Sequence, residues 1–297
     1  MKHWLQIQFD APPEIAERIA DGLEQAGSLS VCLQDCADEP IYEPQSGTTQ
    51  LWTTTQVTGL FSENVDLDKV LASIKAALKL SSLPNHQIIK LADQAWERVW
   101  LEDFHPMQFG KRLWVCPGNE APPDPDAINI MLDPGLAFGT GTHATTALCL
   151  EWLDPQSMRD QLVIDYGCGS GILALAAAKL GAKHIWAVDI DDQALLATNE
   201  NALRNQVNGQ ISAVSPESLP SIKANCLIAN ILAAPLIDLV DLFATLILPG
   251  GHIILSGILN EQADKITSIY ANYFDDLVIK EKEEWIRITA KRKSDNV

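Results

Sequence analysis

The sequence predicts an α/β protein in which a small α+β domain precedes a larger domain built on a mostly parallel sheet. Three observations support this prediction. The chain has 297 residues, about the length of two typical domains. Short elements follow a β-α-β-β-α-β order before residue 92, and strands alternate with helices after residue 141. We therefore predict domains at residues 1–92 and 104–297, joined by a linker helix at 93–103.

The first domain begins with a strand, because the apolar residues Leu5, Ile7 and Phe9 alternate with polar ones. Apolar residues four positions apart then predict a helix that ends at Gly27, and Asp66 is the predicted N-cap of a second helix. This order of elements is that of a ferredoxin-like fold, which many unrelated functions share. The other strands are predicted at residues 29–33, 51–57 and 87–91.

The second domain alternates strands with helices, which predicts a parallel sheet with helices on both faces. Two strands, at residues 112–116 and 127–132, lead into it. A three-residue turn at 282–284 joins the last two strands, so these are predicted to be antiparallel. Strands are predicted at 162–164, 184–188, 211–214, 226–231, 253–256, 277–281 and 285–290, and helices at 172–180, 191–205, 235–247 and 261–274.

Composition and charge restrict the classes of function. The formal net charge is −18, and a negative surface repels phosphate backbones, so we predict no generic nucleic-acid binding. The six cysteines include no C-x-x-C pair and no neighbouring histidine cluster, which predicts neither a disulfide framework nor a metal site. The N-terminus has no signal-peptide pattern, and no apolar run is long enough to span a membrane. We therefore predict a cytoplasmic protein without a membrane partner.

The strongest motif is a Gly-rich turn (residues 167–171) between a strand and a helix, in the segment VIDYGCGSG. Its three glycines allow the backbone to turn sharply and to approach a ligand closely. The spacing is G-x-G-x-G, and Ile172 stands where a dinucleotide-binding motif requires its third glycine. The turn therefore favours a ligand other than NAD, and a tight turn without any ligand is the alternative.

Two polar side chains lie at the predicted ends of the second and fourth strands of the alternating region. Asp189 ends the second strand of the alternating region, where a carboxylate can accept hydrogen bonds from both hydroxyl groups of a ribose. We assign this role to Asp189 and helix capping to Asp191, with capping by either residue as the alternative. Asn230 lies at the predicted end of a further strand, and its amide can accept a hydrogen bond from an amine. A helix N-cap is the alternative for Asn230.

A second glycine-rich segment, DPGLAFGTGTHATT, spans residues 133–146 and is called the glycine loop below. Its glycines, its hydroxyl groups and Phe138 suit a loop that covers a ligand. It lacks the lysine of a Walker A phosphate-binding loop. His143, taken alone, is interpreted as a structural histidine.

Together these segments resemble the class I S-adenosylmethionine methyltransferases, and more closely the PrmA family of ribosomal protein L11 methyltransferases. The segments that carry the resemblance lie between residues 132 and 259: LDPGLAFGTGTHATT, VIDYGCGSGILALAA, AVDIDDQAL, IANILAAPLI and GGHIILSGIL. The resemblance implies a Rossmann-like class I methyltransferase domain, mostly parallel with an antiparallel last strand, and S-adenosylmethionine as cofactor. It also implies that the ferredoxin-like domain recognises the substrate.

The resemblance implies a role for four residues, which fall where the family contacts S-adenosylmethionine: Thr145, Gly167, Asp189 and Asn230. Asn230 is also the candidate catalytic residue, because its amide can orient the amine that receives the methyl group. The sequence departs from the family pattern at three positions: Ala144, Asp192 and Ala234. A proline is usual at the first two and a glycine at the third, where the added methyl group lies near the cofactor crevice.

The implied activity is methylation of lysine amines, and of the terminal amine, in a large-subunit ribosomal protein, either free or bound to the ribosome. A lysine must lose its proton before it attacks the methyl group, and we predict that no dedicated strong base is required. Two alternatives stay open: a methyltransferase with an RNA or small-molecule acceptor, and a non-catalytic ribosome-associated binding module. The protein is predicted to be a monomer.

Overall fold

The computed structural model divides into two compact units, Met1–Trp96 and Glu97–Val297. The residues that it describes are 3–36, 41, 51–79, 82–92, 105–118, 120–133 and 141–294. The predicted linker helix at 93–103 and residues 134–140 of the glycine loop lie outside this set. None of the helices within the described ranges is long and apolar enough to cross a membrane.

The first unit contains a four-stranded antiparallel sheet with the strand order β2-β3-β1-β4. Its elements are β1 (His3–Ala11), α1 (Pro13–Gln25), β2 (Ser30–Asp35), β3 (Thr55–Ser62), α2 (Leu67–Leu78) and β4 (His86–Ala92). One face of the sheet packs with both helices around a core that includes Ile7, Phe9 and Phe61. Asp66 caps α2 as predicted, because its carboxylate accepts the backbone N–H of Lys69 at 3.2 Å.

The third strand of this unit was predicted at residues 51–57, and that range is wrong. The strand is Thr55–Ser62, so the prediction began four residues too early. The alternation of apolar and polar residues begins at Leu51, but pairing with β1 begins only at Thr55, which lies opposite Ala11. Leu51 packs against the core without joining the sheet. Side-chain alternation therefore located the strand, and hydrogen-bonded pairing determined its bounds.

The second unit begins with a small sheet of three strands in the order β5-β6-β7. These strands are β5 (Met107–Phe109), β6 (Leu113–Pro117) and β7 (Ile128–Leu132). β5 and β6 are antiparallel, whereas β6 and β7 are parallel. The glycine loop leaves the end of β7 at Asp133.

The main sheet of this unit has seven strands in the order β10-β9-β8-β11-β12-β14-β13. They are β8 (Leu162–Tyr166), β9 (His184–Val188), β10 (Ile211–Val214), β11 (Ala224–Asn230), β12 (Ile247–Leu259), β13 (Phe274–Lys282) and β14 (Trp285–Arg292). The first five strands in the sheet order are mutually parallel, and β14 inserts antiparallel between β12 and β13. The predicted mostly parallel sheet with an antiparallel last strand is confirmed.

Six helices of the described residues cover this unit: α3 (Ala144–Leu153), α4 (Ile172–Lys179), α5 (Asp192–Arg204), α6 (Ala233–Asp238), α7 (Val240–Leu246) and α8 (Ala263–Tyr270). Successive strand residues bury opposite faces of the sheet, so Val163 belongs to one apolar core and Ile164 to another. The single helix predicted at 235–247 is wrong, because Leu239 ends α6 and also precedes α7. β12 is longer than predicted, because it begins at Ile247, which pairs with Ala224 of β11. Pro249 and Gly250 lie between this first pair and the pairing that resumes at His252.

Candidate functional site

The candidate site lies at the carboxyl ends of β8, β9 and β11. β8 is the point where the order of the sheet reverses, since β9 and β11 lie on its two sides. Open α/β sheets bind ligands in the crevice at such a point. Gly167 follows β8, Asp189 follows β9 and Asn230 ends β11. The fold thus brings three of the four predicted site residues to one edge of the sheet.

The Gly-rich turn needs its glycines for packing as well as for shape. Gly167 has φ +79°, and a Cβ at this position would lie 2.2 Å from Cγ2 of Ile231. A Cβ at Gly171 would lie 2.8 Å from Oγ1 of Thr198. The turn is therefore held between the segment that follows β11 and the buried face of α5. The sequence predicted a sharp turn and the approach of a ligand at these glycines, but not their contacts with Ile231 and Thr198.

Asp189 lies beside the Gly-rich turn and is partly exposed. Its Oδ2 accepts the backbone N–H of Gly169 at 2.9 Å, and its Oδ1 accepts that of Asp191 at 3.1 Å. Each oxygen of an ionised carboxylate has a second lone pair, so two acceptor positions stay available for ligand hydroxyl groups. Asp191 caps α5 by accepting the N–H of Gln193 at 2.9 Å, which confirms the capping role predicted for it.

Asn230 contacts the start of α3 across the crevice. Its Nδ2 donates to Oγ1 of Thr146 at 3.2 Å, and the side chain is partly exposed. Thr146, which the sequence analysis did not select, is therefore the hydroxyl group of the glycine loop that meets Asn230. The bond fixes the orientation of the amide, so its oxygen can face a donor on a ligand.

The side chain of Thr145 takes part in the N-cap of α3. Its Oγ1 lies 2.8 Å from Nδ1 of His143, and the residue is only 3% exposed. His143 is the N-cap of α3 and meets the ring of Trp285 edge-on, with ring centroids 4.9 Å apart. The structural interpretation of His143 is confirmed. The structure places the Thr145 side chain in this cap, and its contact with a cofactor stays a prediction.

Asp165 is a buried acidic residue that the sequence analysis did not single out. It lies on β8 directly below the Gly-rich turn, 1% exposed, and its Oδ2 accepts the N–H of Ala174 at 2.9 Å. Burial, reinforced by the nearby Asp189 carboxylate, raises the pKa of Asp165 to about 7. Because the N-cap of α4 is Gly171, which has no side chain, Asp165 supplies the capping oxygen from the strand.

Three further polar residues that the sequence analysis missed lie on the buried face of α5 and at its C-cap: Thr198, Asn201 and Asn205. We call them the α5 polar row. Thr198 donates to the carbonyl oxygen of Gly169 at 3.0 Å, and Asn201 donates to that of Ser170 at 3.0 Å. A signal for the row exists in the sequence, because its members are three and four positions apart, the spacing of one helical face.

The chemistry of these groups fits a ligand that carries hydroxyl groups, such as those of a ribose, together with a further hydrogen-bond donor. A carboxylate that retains acceptor positions lies beside a turn of glycines, and an amide lies on the other side of β8. Within the described residues, no group of three His, Cys, Asp or Glu side chains is placed to hold a metal ion. Ala234, at which the sequence departs from the family pattern, is exposed in α6.

A family model and two related sequences match nearly the whole chain, and a related crystal structure matches about two thirds of it. The family model described as ribosomal protein L11 methyltransferase (PrmA) matches residues 3–293. A ribosomal protein L11 methyltransferase from Aliivibrio fischeri is 48% identical over 292 residues, which cover 98% of this chain and 99% of that protein. A protein of the same name from Marinobacter nauticus is 49% identical over 294 residues, with the same two coverages. A crystal structure of a ribosomal protein L11 methylase from Lactobacillus delbrueckii subsp. bulgaricus has a TM-score of 0.59 and 35% identity, and covers 64% of this chain and 100% of that chain.

Proposed function

The chain belongs to the ribosomal protein L11 methyltransferase family, and from this premise we propose that it transfers methyl groups from S-adenosylmethionine to amino groups of ribosomal protein L11. The proposal includes the side-chain amines of lysine and the terminal amine as acceptors. The observation that carries it is the pair of groups on either side of β8: Asp189 bonded to the Gly-rich turn, and Asn230 bonded to Thr146.

Asp189 is proposed to bind the ribose hydroxyl groups of the cofactor. The two backbone N–H groups that it accepts hold the carboxylate in one orientation before any ligand arrives. A preoriented acceptor loses little conformational entropy on binding, and charge-assisted hydrogen bonds are among the strongest in proteins. The three glycines of the turn have positive φ angles, and this backbone shape places the N–H of Gly169 against Asp189.

Asn230 is proposed to orient the amine that receives the methyl group. S-Adenosylmethionine supplies a methyl group that its sulfonium already activates, so the protein contributes mainly position. The amide oxygen of Asn230 can accept an N–H of the incoming amine while Nδ2 stays bonded to Thr146. The amine must arrive neutral, and loss of its proton to solvent or on desolvation is sufficient.

Incubation with labelled S-adenosylmethionine and purified ribosomal protein L11, followed by mass mapping, tests the proposal. We expect mass increments on lysine side chains and on the terminal amine. RNA from purified ribosomes serves as the competing acceptor in a parallel reaction. Label in RNA and none in the protein would overturn the protein-amine assignment, and cofactor binding without turnover on either acceptor would favour a non-catalytic binding module.

The predicted cytoplasmic location and monomeric state belong to the same proposal. A cytoplasmic enzyme meets ribosomal proteins during ribosome assembly, which agrees with the proposed substrate. Size-exclusion chromatography with light scattering measures the oligomeric state directly, and we expect the mass of one 32.5 kDa chain.

A further inference from the structure

The α5 polar row is buried, so its hydrogen bonds determine whether it stabilises the fold. Thr198, Asn201 and Asn205 are 0%, 1% and 3% exposed. A buried amide that lacks partners destabilises a protein, whereas one whose donors and acceptors are all used can fix a single arrangement of its neighbours. The partners of the two asparagines therefore show which parts of the molecule α5 holds in place.

Asn201 bonds to two separate loops at once. Its Nδ2 donates to the carbonyl oxygens of Asp133 and Ser170, both at 3.0 Å. Its Oδ1 accepts the backbone N–H of Asp133 at 3.0 Å and Nη1 of Arg204 at 2.8 Å. Two donors and two acceptor positions are the full capacity of an amide, so each is used. Asp133 is the first residue of the glycine loop, and Ser170 belongs to the Gly-rich turn.

Asn205 has a similar chemistry and a different location. Its Oδ1 accepts the N–H of Met131 at 2.9 Å, and its Nδ2 donates to the carbonyl oxygen of Met131 at 2.7 Å. A third bond joins Nδ2 to the carbonyl oxygen of Asn201 at 2.9 Å within the same helix. These bonds fix the interior of β7, and none of them reaches the Gly-rich turn.

We infer that Asn201 is a positioning residue. It holds Asp133, the first residue of the glycine loop, in a fixed position relative to the Gly-rich turn, so that the cofactor crevice has its binding shape before the cofactor arrives. This inference rests on the proposed function, because the Gly-rich turn holds Asp189 at the proposed cofactor site. Without Asn201, Asp133 and Ser170 lose their shared partner, and binding of the cofactor must then also fix the Gly-rich turn, which costs conformational entropy. The effect acts through Asp133 and Ser170, because Asn201 itself is only 1% exposed.

Two single variants of the full-length protein test the inference: Asn201→Ala and its matched control Asn205→Ala. Each variant removes one buried amide, which is on α5 for Asn201 and at the C-cap of α5 for Asn205. Both lose bonds to β7 or to Asp133 directly after it, but only Asn201→Ala also loses a bond to the Gly-rich turn. We expect both to lower the Tm by several degrees. By calorimetry we expect Asn201→Ala to raise the Kd for S-adenosylhomocysteine at least tenfold, and Asn205→Ala to stay within twofold of wild type.

The outcomes separate this inference from the proposed function. If wild-type protein does not bind S-adenosylhomocysteine, the proposed function fails. If wild type binds and Asn201→Ala stays within twofold, or if both variants weaken binding equally, Asn201 does not position the loops. Should Asn201→Ala fail to fold, Asn201→Asp replaces it, because a carboxylate keeps the acceptor for Asp133 and lacks the donors to Ser170. A rise in the KM for cofactor with unchanged kcat is expected for Asn201→Ala and for Asn201→Asp, but not for Asn205→Ala.

Discussion

Asn230 presents the sharpest prediction at the scale of single residues. Its amide is bonded to Thr146 at the edge of the crevice, where it can orient an acceptor amine. We expect Asn230→Ala to lower kcat about 100-fold, because a lost positioning contact removes a large part of the acceleration that orientation supplies. Thr146→Val keeps the amide but frees its orientation, and we expect a loss of about tenfold.

A methyl-transfer assay and calorimetry with S-adenosylhomocysteine measure both effects. Asn272→Ala is the control, because Asn272 is exposed and its amide bonds only to the carbonyl oxygen of Ile269 among the described contacts. An Asn230→Ala enzyme with wild-type kcat and wild-type Kd would remove Asn230 from the mechanism.

Gly167 offers a test of packing under the crevice. Gly167→Ala combines two costs, a positive φ of +79° and a Cβ placed 2.2 Å from Ile231. Gly250→Ala isolates the first cost, because Gly250 has φ +77° and open space within 4 Å. We expect Gly250→Ala to destabilise by about 1–2 kcal/mol and Gly167→Ala by clearly more. Urea unfolding measures both, and equal changes would show that Ile231 does not constrain the turn.

The raised pKa of Asp165 predicts that the stability of the protein depends on pH. Its pKa is raised to about 7 in the folded protein, against about 3.9 in an unfolded chain. Between these values the folded state holds a proton that the unfolded state has released, so this group favours folding at low pH. Its contribution is lost as the pH rises toward 7, with a slope of at most about 1.4 kcal/mol per pH unit.

Asp165→Asn is neutral at every pH and retains an oxygen for the N–H of Ala174. We therefore expect the free energy of unfolding of the variant, relative to wild type, to increase from pH 4 to pH 7 and then to level off. Urea unfolding at pH 5, 6, 7 and 8 measures this difference. A difference that does not change with pH would mean that Asp165 is already ionised in the folded protein.

At the scale of elements, helix starts explain two departures from the family pattern. Ala144 and Asp192 are the first residues of α3 and α5, after the N-caps His143 and Asp191. Proline is favoured at this position because its missing N–H would have no helical partner, but other residues lose little there. Asp192 also places a negative charge at the positive end of the α5 dipole.

The spacing of the α5 polar row is visible in the sequence, but the sequence alone could not assign its role, because its partners lie on β7, at Asp133 and in the Gly-rich turn.

Asp154 connects α3 with the turn between β5 and β6. It is 5% exposed at the end of α3, and its carboxylate accepts the backbone N–H groups of Lys111, Arg112 and Leu113 at 2.9, 2.7 and 3.0 Å. Asp154→Ala leaves three donors without this partner, so we expect a loss of about 3 kcal/mol or more. Asp154→Asn keeps one oxygen and should lose less. Thermal unfolding measures both, with the exposed Asp238→Ala as control, and an Asp154→Ala protein as stable as wild type would contradict this role.

At the scale of the whole molecule, features that follow from local sequence pattern could be predicted, whereas contacts that depend on tertiary packing could not. The Gly-rich turn, Asp189, Asn230 and the alternation of strands and helices follow from residue type and spacing, so the sequence located them. The pairing of β14 with β12 and the bond from Asn230 to Thr146 each join residues far apart in sequence. No spacing rule reports such contacts, because tertiary packing alone selects the partner.

The two units bury separate cores, which leads to a prediction about division of labour. The core of the first unit consists of residues from β1 to α2, whereas two other cores occupy the faces of the main sheet. All the proposed cofactor residues belong to Glu97–Val297. We therefore expect a fragment of residues 104–297 to bind S-adenosylhomocysteine with a Kd within threefold of the whole protein. If residues 1–92 recognise the substrate, the same fragment should methylate ribosomal protein L11 at least 100-fold more slowly, through a higher KM for the protein substrate. A fragment that binds cofactor and methylates L11 at the full rate would instead place substrate recognition in the larger unit.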